Sequence, residues 1–241
     1  MEAGFAERMA DVRARLERAS ARAGRSVRAV TLVGASKTVP ADRVAEAVTA
    51  GLADLGENRV QEAEAKIPAV HAALAAGAPV PVWHLIGHLQ SNKARRAVAL
   101  FDWIHSVDSV RLADALDRLA AELGRRPSVL IEVNTSGEAS KAGVAPGETR
   151  GLAEHVARLP HLKLRGLMTI GPVVERAEDA RPAFRALAGL LAETRRALGD
   201  SAEACDTLSM GMSGDFEVAV EEGATMVRVG SALFGARDAA A

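Results

Sequence analysis

A single α/β domain over residues 1–241, a (β/α)8 TIM barrel with one extra N-terminal helix, is the fold this sequence predicts. Three observations carry that prediction. Short β-branched or apolar runs alternate with segments of helical period almost without a break, as in a parallel sheet built from βα units. Eight such runs can be counted, the number that closes a barrel, and 241 residues is near the ~250 typical of the class. No G-x-G-x-x-G follows the first run, so the fingerprint of an open, doubly wound sheet is missing.

Each element follows in order. A charged helix over about residues 2–23 opens the chain. The run VRAVTLVGASK leads into PADRVAEAVTAG, where Val44, Ala47 and Val48 recur at i, i+3 and i+4 and Pro40 suits the first turn. LADLGEN precedes the helix RVQEAEAKIPAVHAAL, which Pro68 is expected to break or kink. VPVWHLIGH, the helix QSNKARRAVAL and FDWIHSVDS come next. VRLADALDRLAAELG places Leu112, Ala115, Leu116 and Leu119 along one face and closes at Gly124. The second half repeats the plan: PSVLIEVNTSG, a loop EASKAGVAPG, the helix ETRGLAEHVARL, LKLRGLMTIGP and the helix RPAFRALAGLLAETRRAL. CDTLSMGMSGD, the helix FEVAVEEG and TMVRVGSALFG complete it. No linker, low-complexity stretch or close repeat divides the chain, so one domain is expected.

Composition narrows the function classes. Thirty Lys+Arg against 31 Asp+Glu leave a net charge of -1, which gives no electrostatic case for nucleic acid or an anionic membrane. The one cysteine, Cys205, forbids an internal disulfide, fits a reducing compartment and reads as a small buried hydrophobe. The first twenty residues carry charges throughout and lack the apolar stretch of about 7 to 15 residues found in a signal peptide. No segment approaches the ~18 uninterrupted apolar residues of a membrane span. A cytoplasmic protein is therefore expected.

Polar residues collect where the runs end. In a barrel those ends and the loops after them build the ligand site. Helix caps and turn formers account for about half of them, Asp42 and Asp215 included. Capping does not account for Lys37, Glu57, His88 and Arg228, all expected to aim at one mouth. A lysine in a partly dry site loses proton affinity, and a neutral amine is the nucleophile that forms an imine with an aldehyde. The stretch SMGMSGDFEVAVEEG brings small residues, backbone N–H groups and Ser213 together, and the next run ends in Gly230 and Ser231. The last two βα turns are where barrels often hold phosphate. Phosphate beside an imine-forming lysine suggests pyridoxal 5'-phosphate. Arg228, two residues before Gly230 and on the same strand face, would meet the ring nitrogen or brace the phosphate side.

Taken together, GASKTVP, GENRVQE, WHLIGHLQSNK, SVDS, NTSGEASKAG, GLMTIGP and LSMGMSGDFEVAVEEGATMVRVGSALFG resemble the pyridoxal phosphate homeostasis protein family, from about residue 28 to 236. The resemblance implies a barrel like the N-terminal domain of alanine racemase, pyridoxal phosphate held as a Schiff base, and no established turnover. It implies that Lys37 carries the imine and that Asn58 lies near the ring. It further implies that Ser213, Gly230 and Ser231 hold the phosphate and that Arg228 faces the pyridine nitrogen. The expected role is intracellular homeostasis of the cofactor, buffering it or delivering it to apo pyridoxal-phosphate enzymes. The alternative is a pyridoxal-phosphate enzyme of low, racemase-like activity on amino acids. Composition speaks against that alternative, because an alanine-type racemase returns its proton with a tyrosine and the chain has none. The chain also stops after the eighth run, so the second domain of such enzymes is not expected. An arginine at the ring nitrogen would disfavour the pyridinium electron sink. Without the racemase's dimerising domain, a monomer is expected.

Two further signals stand outside this scheme. His84 and His88 are read as one strand face about 13 Å apart, too far to share a metal, with His88 hydrogen-bonding at the mouth. Lys141 in EASKAG is read as a solvated loop charge near the opening and a candidate to hand the cofactor in or out.

Overall fold

The computed structural model of the protein describes residues 4–138, 141–202 and 204–235. Eight parallel strands close in chain order: β1 (Thr31–Ala35), β2 (Asp54–Glu57), β3 (Val82–Leu85), β4 (Trp103–Val107), β5 (Ser128–Glu132), β6 (Lys163–Met168), β7 (Thr207–Ser209) and β8 (Met226–Val229). The ring is sealed where β8 returns to β1, with Thr31 opposite Met226 and Gly34 opposite Val229. At the β6–β7 seam Gly166 sits at φ 149, and a Cβ there would collide with the Thr207 carbonyl, so only glycine permits this approach. The barrel, its eight strands and the leading helix match the predicted fold.

Helices surround the barrel: α1 (Phe5–Arg22), α2 (Ala41–Thr49), α3 (Val60–Ala73), α4 (Ala94–Leu100), α5 (Val110–Leu123), α6 (Thr149–Val156), α7 (Arg181–Leu198), α8 (Phe216–Glu221) and the short α9 (Ser231–Phe234). Their apolar faces and the outward side chains of the strands form the main core, including Leu55, Leu85, Ile104, Ile131 and Leu167. On α5 the buried face is Leu112, Ala113, Leu116, Leu119 and Ala120. Ser109 caps that helix by accepting from the Leu112 N–H at 3.3 Å, and Gly124 closes it at φ 62. Helix α3 runs unbroken through Pro68, where a break or kink was expected. Burial of Ile67 and Val70 on either side of Pro68 holds the helix across the lost N–H. The extra helix α1 lies against α8 and α9, the two shortest α-helices.

Candidate functional site

Parallel pairing puts every strand's C-terminal end on one rim. β1 ends at Ala35, buried Ser36 follows, and Lys37 stands exposed in the turn before α2, next to Thr38 at φ 64. A partly dry setting was expected for Lys37; the turn lifts it clear of the strand instead. Its amine has no hydrogen bond or ion pair among the described residues.

Both neighbouring strands bring predicted site residues to this point. On one side Gly230 follows β8, and a Cβ there would lie 3.4 Å from the Ala35 carbonyl oxygen. Ser213 Oγ accepts from the N–H groups of Gly230 (3.1 Å) and Ala232 (3.3 Å), tying the β7–α8 loop to the start of α9. With both acceptances made, the hydroxyl proton of Ser213 has no acceptor among the described residues. Ser231 is exposed at the first position of α9. Asp215 braces the same loop by accepting from the Met212 N–H at 2.6 Å. On the other side β2 delivers Asn58, half-buried, with its backbone pressed so close to Gly87 that a Cβ on Gly87 would collide with the Asn58 carbonyl. The structure therefore gathers Lys37, Asn58, Ser213, Gly230 and Ser231 on the arc from β7 to β2.

Arg228 lies deeper. Only 4% exposed, it points into the barrel, donating from one terminal nitrogen to Ser209 Oγ (2.6 Å) and from the other to the Thr169 carbonyl (2.9 Å). Burial pushes its guanidinium down to about 10, so it remains charged at neutral pH. Behind it runs a chain of polar contacts. Ser209 Oγ lies 3.1 Å from His105 Nδ1, His105 Nε2 lies 3.0 Å from His84 Nδ1, and His84 Nε2 lies 2.9 Å from Asp54 Oδ1. Five residues from β2, β3, β4, β7 and β8 can meet this way only inside the ring. Trp103 stacks on His84, with ring centroids 5.6 Å apart. Burial, then His84 and Arg228, hold the His105 imidazole well below its usual range. Glu132, the last residue of β5 and 3% exposed, also faces Arg228 electrostatically. Its Oε2 has no partner among the described residues, and burial with Asp108 nearby pushes its carboxyl up to about 7.

Three predicted placements are corrected. Glu57 does not aim at the mouth. Gly56 takes the inward position, against Val33 and Ile86, so Glu57 turns outward, wholly buried between β2 and α3. There Glu57 Oε1 accepts from Ser36 Oγ (2.7 Å) and Lys66 Nζ (2.8 Å), and Lys66 also donates to the Ser36 carbonyl at 2.7 Å. His88 does not share a strand with His84: β3 ends at Leu85, and His88 stands exposed with Nδ1 3.5 Å from Asp108 Oδ2. Lys141 is not a solvated charge, because it donates to Glu138 Oε1 (2.6 Å) and the Gly171 carbonyl (3.0 Å).

The sequence reading missed the Ser36–Glu57–Lys66 cluster and the histidine pair. Strand alternation held the signal for the second. The middle positions of WHL, IHS and VRV share the inward parity, which pairs His84 with His105 rather than with His88. Among the described residues no cluster of His, Cys, Asp and Glu could hold a metal. The donor set at the rim suits an aldehyde carrying an anionic group: one uncommitted amine, one free hydroxyl proton beside small residues, and a buried guanidinium below.

Comparison with known proteins agrees with this chemistry. Residues 8–238 match the family model described as alanine racemase, N-terminal domain. The pyridoxal phosphate homeostasis protein of Pseudomonas aeruginosa is 48% identical, over 97% of this chain and 96% of its own length. That of Aquifex aeolicus is 45% identical over 96% and 97%. Among solved structures, PipY of Synechococcus elongatus with pyridoxal phosphate bound superposes with a TM-score of 0.82 at 41% identity, covering 96% of this chain and 100% of that one. Fold, rim chemistry and near full-length similarity converge: this chain belongs to the pyridoxal phosphate homeostasis protein family.

Proposed function

We propose that this protein binds pyridoxal 5'-phosphate at the C-terminal mouth of its barrel, as a Schiff base on Lys37, and serves as an intracellular reservoir that supplies the cofactor to apo pyridoxal-phosphate enzymes. The observation that carries the reading is the uncommitted amine of Lys37 on the same arc as the Ser213–Gly230 cradle. The names of the relatives and the pyridoxal phosphate bound to PipY support it. When bound, the cofactor supplies an aldehyde whose carbon bonds to the lysine nitrogen with loss of water.

The chain's own residues set where the ligand lies. The Ser213 hydroxyl, Gly230 and Ser231 receive the phosphate, Asn58 flanks the ring, and Arg228 presents a fixed positive charge toward the pyridine nitrogen. An arginine there opposes protonation of that nitrogen, which weakens the electron sink that amino-acid chemistry requires. With no tyrosine in the chain, the second base of an alanine-type racemase is lacking as well. The reading is therefore a carrier rather than a catalyst, acting as a cytoplasmic monomer.

Borohydride reduction of protein saturated with pyridoxal phosphate, followed by peptide mass spectrometry, tests it. The reduced adduct is expected on Lys37 and absent from Lys37→Ala; an adduct elsewhere, or none, would overturn the reading. Exchange of an amino acid's α-proton in deuterated water at enzymatic rates would favour the catalyst instead.

A further inference from the structure

We propose that Asp54, His84, His105 and Ser209 form a hydrogen-bond relay of one fixed polarity through the barrel interior, and that they act as positioning residues for Arg228. Its geometry is continuous. Four contacts of 2.6, 3.1, 3.0 and 2.9 Å run from Arg228 in β8 through β7, β4 and β3 to Asp54 at the start of β2, on the far side of β1 from Arg228. Ser209, His84 and His105 are completely buried, so water is excluded from the contacts they make with one another. Every hydrogen must then be assigned from within the chain.

Two polarities can be drawn, and a His105 imidazolium donating to both His84 and Ser209 shares the faults of the second. In the first, Asp54 accepts from His84 Nε2–H, leaving His84 Nδ1 as an acceptor for His105 Nε2–H. His105 Nδ1 then accepts the Ser209 hydroxyl proton, and Ser209 Oγ accepts from Arg228. All five groups are satisfied and both imidazoles are neutral. In the second, His84 is an imidazolium donating both ways and His105 donates from Nδ1 to Ser209. That places a second cation in a desolvated interior already holding Arg228, and it strands the Ser209 O–H, a buried donor whose loss costs more than one bond is worth. A neutral His84 facing Asp54 with a bare Nε2 is excluded because two acceptors would meet at 2.9 Å. The first pattern stands, and the depressed proton affinity of buried His105 agrees with it.

Held this way, the Ser209 oxygen lone pairs are available to Arg228 because the hydroxyl proton is committed to His105. The guanidinium is fixed in plane by Ser209 and by the Thr169 carbonyl. Trp103, stacked on His84, keeps that ring from turning over. The Arg228 guanidinium thus receives an orientation set by the Asp54 carboxylate at the other end of the relay. None of the three residues beyond Ser209 needs to touch the cofactor.

The link to the cofactor rests on the function proposed above; the protonation pattern does not. In the full-length, cofactor-free protein carrying 15N-labelled histidine, His84 and His105 are expected to be neutral, each protonated at Nε2 and bare at Nδ1. An imidazolium at His84, or an Nδ1–H tautomer at His105, would overturn the relay. In the loaded protein, His105→Phe is expected to speed cofactor loss on dilution by about fivefold, the equivalent of one hydrogen bond. His105→Asn, whose amide oxygen can accept from Ser209, is expected to return the rate to within about twofold, which mere space filling would not achieve. Equal rates in wild type and His105→Phe, or no recovery in His105→Asn, would overturn the positioning role. Failure of wild type to form the Lys37 adduct would instead defeat the cofactor reading, leaving the nitrogen spectra to decide the relay alone.

Discussion

Lys37 and Lys141 stand on loops after β1 and β5, on opposite sides of one eight-stranded rim, and their surroundings treat them differently. Lys141 bridges two loops, with Glu138 and the Gly171 carbonyl both taken up by its amine. Lys37 has no such engagement, and the backbone before it is what is held: Lys66 and Glu57 fasten Ser36 from the helix side of the sheet. An amine already donating two hydrogen bonds must give up both before it can attack a carbonyl, at about 1 kcal/mol each. Availability, rather than the presence of a lysine at the mouth, separates a condensing residue from a structural one.

Four experiments would break or sharpen that contrast. The largest effect is expected of Lys37→Ala, which should abolish the reduced adduct altogether while Lys141 fails to substitute for it; a full adduct on Lys141 would end the contrast. Next comes Glu57→Ala. It leaves the ammonium of Lys66, 12% exposed, facing a wholly buried gap, so denaturant unfolding should show a loss of about 3 kcal/mol. The paired variant Glu57→Gln with Lys66→Met should recover much of that loss, which tells a stranded charge from lost packing.

Glu132 supplies a comparison within the β5 side itself. Its carboxyl is raised from an ordinary 4.5 to about 7. The folded state therefore holds a proton that the unfolded state has released, and the resulting stability is present below pH 4.5 and lost as pH rises through 7. Glu132→Gln should remove this slope, leaving the variant more stable than wild type by about 3 kcal/mol at pH 8 and nearly level with it at pH 4. Parallel stability profiles for the two proteins would contradict that. Smallest of all is Lys141→Ala, where an exposed partner limits the ion pair to below about 1 kcal/mol and the Lys37 adduct should form within about twofold of normal.

The strands and helices were legible because each is a local pattern: apolar runs, a 3.6-residue period, and caps such as Ser109 and Gly124. The neighbouring positions of Lys37, Ser213 and Gly230 were legible because parallel order alone puts strand ends side by side, while Asn58 came only with the family resemblance. What stayed hidden depended on direction. The tip of β2 alone puts Glu57 at the mouth; its two faces do not, because the inward position belongs to Gly56. Spacing along one strand groups His84 with the neighbour four residues away, whereas its partner His105 lies 21 residues on, across the β3–β4 register. Lys141 looked solvated because its acceptor, the Gly171 carbonyl, belongs to a segment 30 residues distant.

The contacts of the N-terminal segment bear on how the barrel is made. Arg25 donates to the carbonyls of Val220 (3.1 Å) and Ala224 (2.9 Å), Arg15 pairs with Glu217 at 3.0 Å, and Arg8 donates to the Leu233 carbonyl at 2.8 Å. These join positions about 195 to 225 apart. The segment before β1 therefore waits for the one around β8, about 200 residues later, and until then β1 has no β8 to pair with. Contacts of such span are the slow ones to form. A growing chain must carry its open seam until β8 has emerged, and the eighth βα turn, which bears the proposed phosphate cradle, is also the clasp that ends this exposure.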